Sequence, residues 1–521
     1  MKPLKYPIGI QTFADIIDDG YVYVDKTEYV WNLVSTGKYY FLSRPRRFGK
    51  SLLISTLEAF FRGQKKLFKG LYIYDREWDW AEYPVFHLAL NGQNYDSVKD
   101  LDDTLNYYMS EWEKTYNIPF NPTISSVSVR FANCIRRASE IMGRQVVILI
   151  DEYDQPLLHN IEQGKEDLHN TMREHLQAFF SVMKAQDQYI KFGMLTGVSK
   201  FSKVSVFSGL NNLKDISFND NTNAICGISE TELTEYFGES ISRLAESNHM
   251  TADEAMSALK REYDGYRFCE EGEGIYNPFS LLNAFDNRKF RHYWMATGTP
   301  SFLIKLLENR KWNLSKISGS TVSEADIMGS DRYLTNPIPM LLQSGYLTIK
   351  GYDPRFKEYY LDYPNEEVAE GFNNDLLKAY SGKKDSDALI KDFVKYVEKG
   401  EADSFMETLE SLLADIPYDQ ILDKEMHYQN MAYLVMKLMG FYTHTEYKTS
   451  KGRIDMVVKT DRYVYVIEFK LHGTAQEAIA QIREKDYAKP FAKEGKEIIL
   501  IGAAFNDEKR NLDSWLIEKM E

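Results

Sequence analysis

At 521 residues the chain exceeds what one hydrophobic core organises, so roughly three or four domains are expected. A hydrophobic content of 44% and a charged content of 27% are globular values, and no apolar run approaches the ~20 residues that span a bilayer. A net charge of −14 excludes a polycation built to wrap nucleic acid along its whole surface. Cys134, Cys226 and Cys269 lie far apart without metal-ligand spacing, and the N-terminus carries no signal-peptide core. Free thiols and a cytoplasmic location without membrane attachment follow as expectations.

Residues 1–70 hold 12 Lys+Arg against 6 Asp+Glu, whereas residues 421–521 hold 16 of each, so the acidity sits in the middle of the chain. The lead-in includes Gly9-Ile10-Gln11-Thr12-Phe13 and Tyr21-Val22-Tyr23-Val24-Asp25-Lys26-Thr27, segments that could shape a base pocket or simply pack. An aromatic-apolar run, Tyr39 to Leu42, then leads into Ser43-Arg44-Pro45-Arg46-Arg47-Phe48-Gly49-Lys50-Ser51 and an apolar helical run, Leu52 to Leu57. Strand, tight loop, Gly-Lys-Ser and helix form the layout of a phosphate-binding loop. Its amides and the positive helix end favour an anion. Arg46, Arg47, Phe48 and Gly49 would cradle the phosphates, Lys50 would reach the β- and γ-phosphates, and the Ser51 hydroxyl would hold Mg²⁺. The usual opening glycine is replaced by Arg44, and Pro45 stiffens the loop. A basic turn before a core helix is the plainer alternative.

From 36 to about 220, strands and helices alternate, as in an α/β fold with a parallel sheet. Pro84 to Leu90 reads as a buried strand, and so does Val146 to Ile150, which ends in Asp151-Glu152. Carboxylates at such a strand end face ligands in open α/β sheets. Asp151 would bind Mg²⁺, directly or through water, and Glu152 would act as general base on the attacking water. Ile190 to Leu195 leads into Thr196-Gly197-Val198-Ser199, where Thr196, or alternatively Ser199, would sense the γ-phosphate.

Beyond 228 the pattern turns helical, beginning with a capping box of Ser229 and Glu232. Tyr263-Asp264-Gly265-Tyr266-Arg267-Phe268 is a turn-rich aromatic segment within this block. A short helix at Pro337 to Leu342 precedes a hairpin of Tyr346 to Ile349 and Tyr359 to Tyr363, compatible with a winged helix. Amphipathic helices follow over 366–420. The expected divisions are a phosphate-loop core at 1–225, a helical lid at 226–325, a winged-helix-like region at 326–370, a helical connector at 371–420 and a separate C-terminal domain at 421–521.

The last hundred residues carry a second constellation. A helix bears Glu425, His427 and Tyr428. Gly452-Arg453-Ile454-Asp455 opens a strand, and Glu468-Phe469-Lys470 closes the next. A further helix is expected to hold Gln481, Lys485 and Tyr487. In a hairpin Asp455 can lie beside Glu468, and alternation puts Glu468 and Lys470 on one face. Two carboxylates bind a hard cation such as Mg²⁺, and the lysine can orient water and stabilise developing phosphate charge. That is equipment for phosphodiester hydrolysis, with Glu425 and Gln481 as accessories and His427 as the softest member.

These segments, together with Phe207-Ser208-Gly209-Leu210-Asn211-Asn212, resemble the bacterial AAA-ATPase-like proteins with a C-terminal PD-(D/E)xK superfamily nuclease domain. The resemblance spans nearly the whole chain. It implies a P-loop NTPase core with a parallel sheet that binds and hydrolyses ATP, and a restriction-endonuclease-like α/β domain at the C-terminus. Arg46, Arg47 and Arg267 are arginine-finger candidates. The expectation is an ATP-driven switch that delivers nucleic acid, DNA first, to a Mg²⁺-dependent cutting site; self-association is left open. The rival is a signalling or scaffold ATPase whose nuclease-fold domain only binds nucleic acid or protein.

Overall fold

The computed structural model describes residues 4–161, 164–200, 212–298, 301–309, 311–329, 336–382, 386–414, 424–440, 444–445, 456–470, 473–506 and 511–520. The chain divides into two compact units, residues 1–298 with 318–368, and residues 299–317 with 369–521. Among the described residues no helix is long and apolar enough to cross a membrane. The three cysteines are free and buried.

The first unit is built on a five-stranded parallel sheet. Its strands are β1 (Tyr39–Ser43), β2 (Val85–Ala89), β3 (Val146–Asp151), β4 (Ile190–Gly197) and β5 (Lys214–Asp215), in the order β2-β3-β4-β1-β5. Every residue of β1 and β3 is buried, as expected of strands covered on both faces. The helix Lys50–Phe61, which begins directly after the basic loop, packs on β2, β3 and β4. Because β4 lies between β1 and β3, the tips of all three open onto one edge of the sheet, where ligands bind in such folds.

The helices Glu230–Ser247, Ala252–Tyr263 and Pro278–Asn287 share a core of Leu233, Phe237, Leu244, Leu259 and Phe285. The first starts with the anticipated capping box, in which the Ser229 N–H donates to Glu232 Oε2 at 2.8 Å. The anticipated hairpin is β7 (Thr348–Asp353) with β8 (Glu358–Asp362), preceded by the helix Ile338–Ser344. A third strand, β6 (Ser320–Ser323), completes that sheet in the order β6-β8-β7. It escaped the sequence reading because Val322 is the lone apolar residue among its four, too few to show an alternation.

The second unit combines the helices Ser386–Lys399, Ala402–Ala414 and Lys424–Met439 with a mixed sheet. Its strands β9 (His444–Thr445), β10 (Met456–Lys459), β11 (Tyr463–Lys470), β12 (Glu497–Asn506) and β13 (Asn511–Met520) run in the order β13-β12-β11-β10-β9. β11 and β12 are parallel, and the helix Ala475–Glu484 between them packs on both. Gly502 permits that approach, since a Cβ there would lie 2.5 Å from the Ala475 carbonyl oxygen. The helix stops at Glu484, so Lys485 is its cap and Tyr487 lies past its end, a correction to the expected extent.

Candidate functional site

Two constellations emerge, one in each unit. The first surrounds the loop after β1. Gly49 adopts φ +96° and Arg47 φ +66°, so the turn needs left-handed conformations at these two positions and not at Arg44. This explains why an arginine can stand where the usual motif has glycine. Arg44 is fully buried behind the loop. Its guanidinium donates to the carbonyls of Ser43, Ser217 and Thr222 at 2.8–2.9 Å and lies 4.1 Å from the Phe268 ring centre. Burial lowers its pKa to about 10, which still leaves it charged at neutral pH.

Lys50 opens the next helix and is only 5% exposed. Its ammonium donates to the carbonyls of Arg44 and Pro45, both at 3.0 Å, so it lies folded across its own loop. The Ser51 hydroxyl donates to Asp151 Oδ2 at 2.5 Å, and the Thr196 hydroxyl donates to Asp151 Oδ1 at 2.5 Å. Asp151 at the end of β3 is thus held from β4 on one side and from the loop helix on the other. Ser199, the alternative to Thr196, donates instead to Asp154 at 2.6 Å, and Asp154 also accepts the Val198 and Ser199 amides.

Glu152 follows Asp151 in a left-handed conformation, φ +54°, which turns its side chain out of the strand direction. Burial raises its pKa, Lys50 opposes the rise, and Asp151 and Asp154 add to it. Gln155 donates to its carboxylate at 3.2 Å. Glu152, Gln155, Gly49, Lys50 and Ser51 line a cavity of about 440 Å³, together with the exposed Arg46 and Arg47 and with Gly9 to Gln11 of the lead-in. Phe279 stacks on Arg47 with 5.1 Å between guanidinium and ring centre, closing the cavity from the helical block.

This cavity shares Pro7, Gly49, Leu52, Pro278 and Leu282 with a second recess of about 100 Å³. The recess is lined by Val22, Val24, Phe48, Leu53, Ile228 and Phe237, among others, so it is mainly apolar. Both lead-in segments singled out in the sequence therefore reach these spaces. Lys26 borders the recess with its ammonium held by Glu232 at 2.5 Å and by the Ala224 carbonyl at 2.7 Å. Arg267 does not line either space; its amide donates to Thr348, and Phe48 turns its ring onto Tyr266 and Phe268 behind the loop.

The second constellation lies at the end of β11. Glu468 is 3% exposed, and its Oε1 accepts from the Gln481 amide. The Lys470 ammonium donates to the Gln481 oxygen and lies 3.6 Å from Glu468. Gln481 projects from the helix Ala475–Glu484, so strand and helix meet at these three polar groups. The antiparallel register pairs Met456 with Ile467. Gly452, Arg453, Ile454 and Asp455 lie outside the described residues, as do Phe207 to Asn211. Glu425 is in the helix Lys424–Met439, but its side chain is outside the description. His427, on the same helix, stacks on Tyr380 at 5.6 Å, and burial lowers its pKa to about 4. Among the described residues no group of three His, Cys, Asp or Glu side chains is placed to hold a metal.

Sequence reasoning had no access to Gln155 or to the Arg44 socket. The first lacks a motif of its own, and the second is made by partners more than 170 residues away.

Parallel-sheet core, loop geometry and C-terminal mixed sheet agree with comparisons to known proteins. Residues 7–207 match the family described as "Predicted AAA-ATPase", and residues 423–515 match the PD-(D/E)XK nuclease superfamily. Over 537 aligned positions, covering all of both chains, the sequence is 36% identical to "Uncharacterized protein in vnfD 5'region" of Azotobacter chroococcum mcd 1. The chain belongs to the AAA-ATPase-like proteins that carry a C-terminal domain of the PD-(D/E)xK nuclease superfamily.

Proposed function

We propose that the chain is a cytoplasmic ATP hydrolase whose C-terminal domain cuts nucleic acid, DNA first. The observation that carries the first half is the convergence of Lys50, Ser51, Asp151, Glu152 and Thr196 at one edge of the parallel sheet. The 440 Å³ cavity suits a triphosphate, and the adjoining apolar recess suits a base. Lys50 would exchange two loop carbonyls for phosphate oxygens, and the amides from Arg46 to Ser51 would face the anion. The Ser51 hydroxyl and the Asp151 carboxylate are hard oxygen donors in contact, so they fit Mg²⁺, whose charge would offset that of the phosphates. Glu152, its basicity raised by burial, would orient and deprotonate the attacking water. Thr196 would report the γ-phosphate to Asp151. Arg46 and Arg47 would add positive charge at the rim.

In the second unit Glu468 would hold a divalent cation together with Asp455, and Lys470, aligned by Gln481, would orient water at the phosphodiester. Nucleotide state would then license cutting. Lys50→Ala is expected to abolish ATP turnover. Metal-dependent cutting of single-stranded DNA, double-stranded DNA and RNA, assayed in parallel, tests the second half. Intact hydrolysis in Lys50→Ala contradicts the first half. A chain that turns over ATP yet cuts none of the three substrates belongs to the scaffold class instead.

A further inference from the structure

The phosphate loop is gripped from behind by residues that neither motif contains. Pro45 lies against Gly345, where an added Cβ would come within 2.7 Å of the proline ring. Phe48 is wedged onto Tyr266 at 4.7 Å and Phe268 at 5.5 Å, and its carbonyl accepts the Gly227 amide at 3.1 Å. The Tyr263–Phe268 segment is thereby explained as a backing plate for the loop.

The remaining grip falls on the Arg46–Arg47 peptide. The Trp294 indole N–H donates to the Arg46 carbonyl oxygen at 3.0 Å. The indole is itself fixed: Trp294 is buried, its ring lies 5.2 Å from that of Tyr346, and its backbone N–H donates to Glu367 at 2.6 Å and Ser280 at 3.1 Å. In a trans peptide the carbonyl and the following N–H point in opposite directions. Holding the Arg46 oxygen against Trp294 therefore turns the Arg47 N–H the other way. Both arginines line the cavity on their free side. Arg47 stands at φ +66°, a left-handed conformation that a non-glycine residue keeps only where its surroundings hold it.

We infer that Trp294 is a positioning residue of the phosphate loop: its indole holds the Arg46–Arg47 peptide with the carbonyl averted and the amide presented to an incoming phosphate. The inference rests on the triphosphate reading of the cavity. Without the indole N–H the peptide can rotate, and its oxygen then faces the anion. The same flip that removes a donor adds a repulsive acceptor.

Equilibrium binding of Mg·ATP and of Mg-tripolyphosphate to the full-length chain tests this, comparing the parent with Trp294→Phe. Phenylalanine keeps an aromatic ring and removes the donor. Affinity for both ligands should fall about tenfold, because the lost contact concerns the phosphates alone. In the parent labelled with ¹⁵N at tryptophan, the indole resonance that Trp294→Phe deletes should move when tripolyphosphate is added; a tryptophan that only packs would stay still. Unchanged affinity in Trp294→Phe overturns the inference. If that variant does not fold, a parent spectrum in which none of the seven tryptophan indole resonances moves on adding tripolyphosphate overturns it. A parent that binds neither ligand contradicts the triphosphate reading itself, whereas a parent that binds both while the variant binds equally well contradicts only the role of Trp294.

Discussion

The two constellations differ in how the chain assembles them. The first is made from strand tips: Lys50 and Ser51 after β1, Asp151 and Glu152 at the end of β3, Thr196 near the end of β4. A parallel sheet brings such tips to one edge whatever the connections do, so each residue can be recognised where it stands in sequence. The second depends on the pairing of β10 with β11 and on one helix facing the strands, and its members are short patterns that recur on ordinary strand edges. They also differ in their partners. Asp151 is held by two hydroxyls, while Glu468, equally buried, sits between an amide and a lysine. The rim of the first site is exposed at Arg46 and Arg47, whereas the second keeps an ammonium against its carboxylate.

That contrast breaks first at Lys470. Lys470→Ala should lower cutting at least ~100-fold, the scale of losing one preorganised charge-stabilising group, while ATP turnover stays unchanged. Equal loss of both activities would mean that the two sites are not separable. A sharper test of the first site is Arg44→Gly, which restores the usual spelling of a phosphate loop. If the arginine is a structural bolt, the change should destabilise the first unit by about 3 kcal/mol, since it empties a buried socket and strips charge-assisted bonds from three carbonyls. Denaturant unfolding checks this, and tighter ATP binding without loss of stability would contradict it.

A third test concerns Glu367, whose buried carboxyl is lifted from 4.5 to about 7. Because the folded-state value lies above the unfolded one, the native state binds more protons within that window. The parent should therefore lose stability as pH rises through it. Glu367→Gln retains an oxygen to accept the Trp294 N–H and removes the titration. Melting curves should show the variant gaining on the parent between about pH 5 and pH 8. A constant difference across that range would mean that Glu367 does not titrate there.

Much of the first site was legible because Gly49-Lys50-Ser51 and the Val146–Asp151 run declare themselves within a few residues. The lead-in was legible only as an option, and the structure places Gln11, Val22 and Lys26 along the two spaces. What holds the loop was not legible. Trp294 and Gly345 reach it from 248 and 300 residues away, Glu367 acts on it only through Trp294, and nothing in their neighbourhoods marks a partner. β13 was missed for a different reason: Asn511–Met520 mixes charged and apolar residues on a half-exposed edge strand, so its alternation is weak.

The central claim is that a triphosphate binds where Lys50 now rests on its own loop. Thermal or denaturant unfolding of the full-length chain with and without Mg·ATP tests it most directly. At a hundred times the dissociation constant, the first unit should gain about 2.7 kcal/mol, and Lys50→Ala should abolish the gain. No stabilisation at saturating Mg·ATP, or the same gain in Lys50→Ala, would contradict the account.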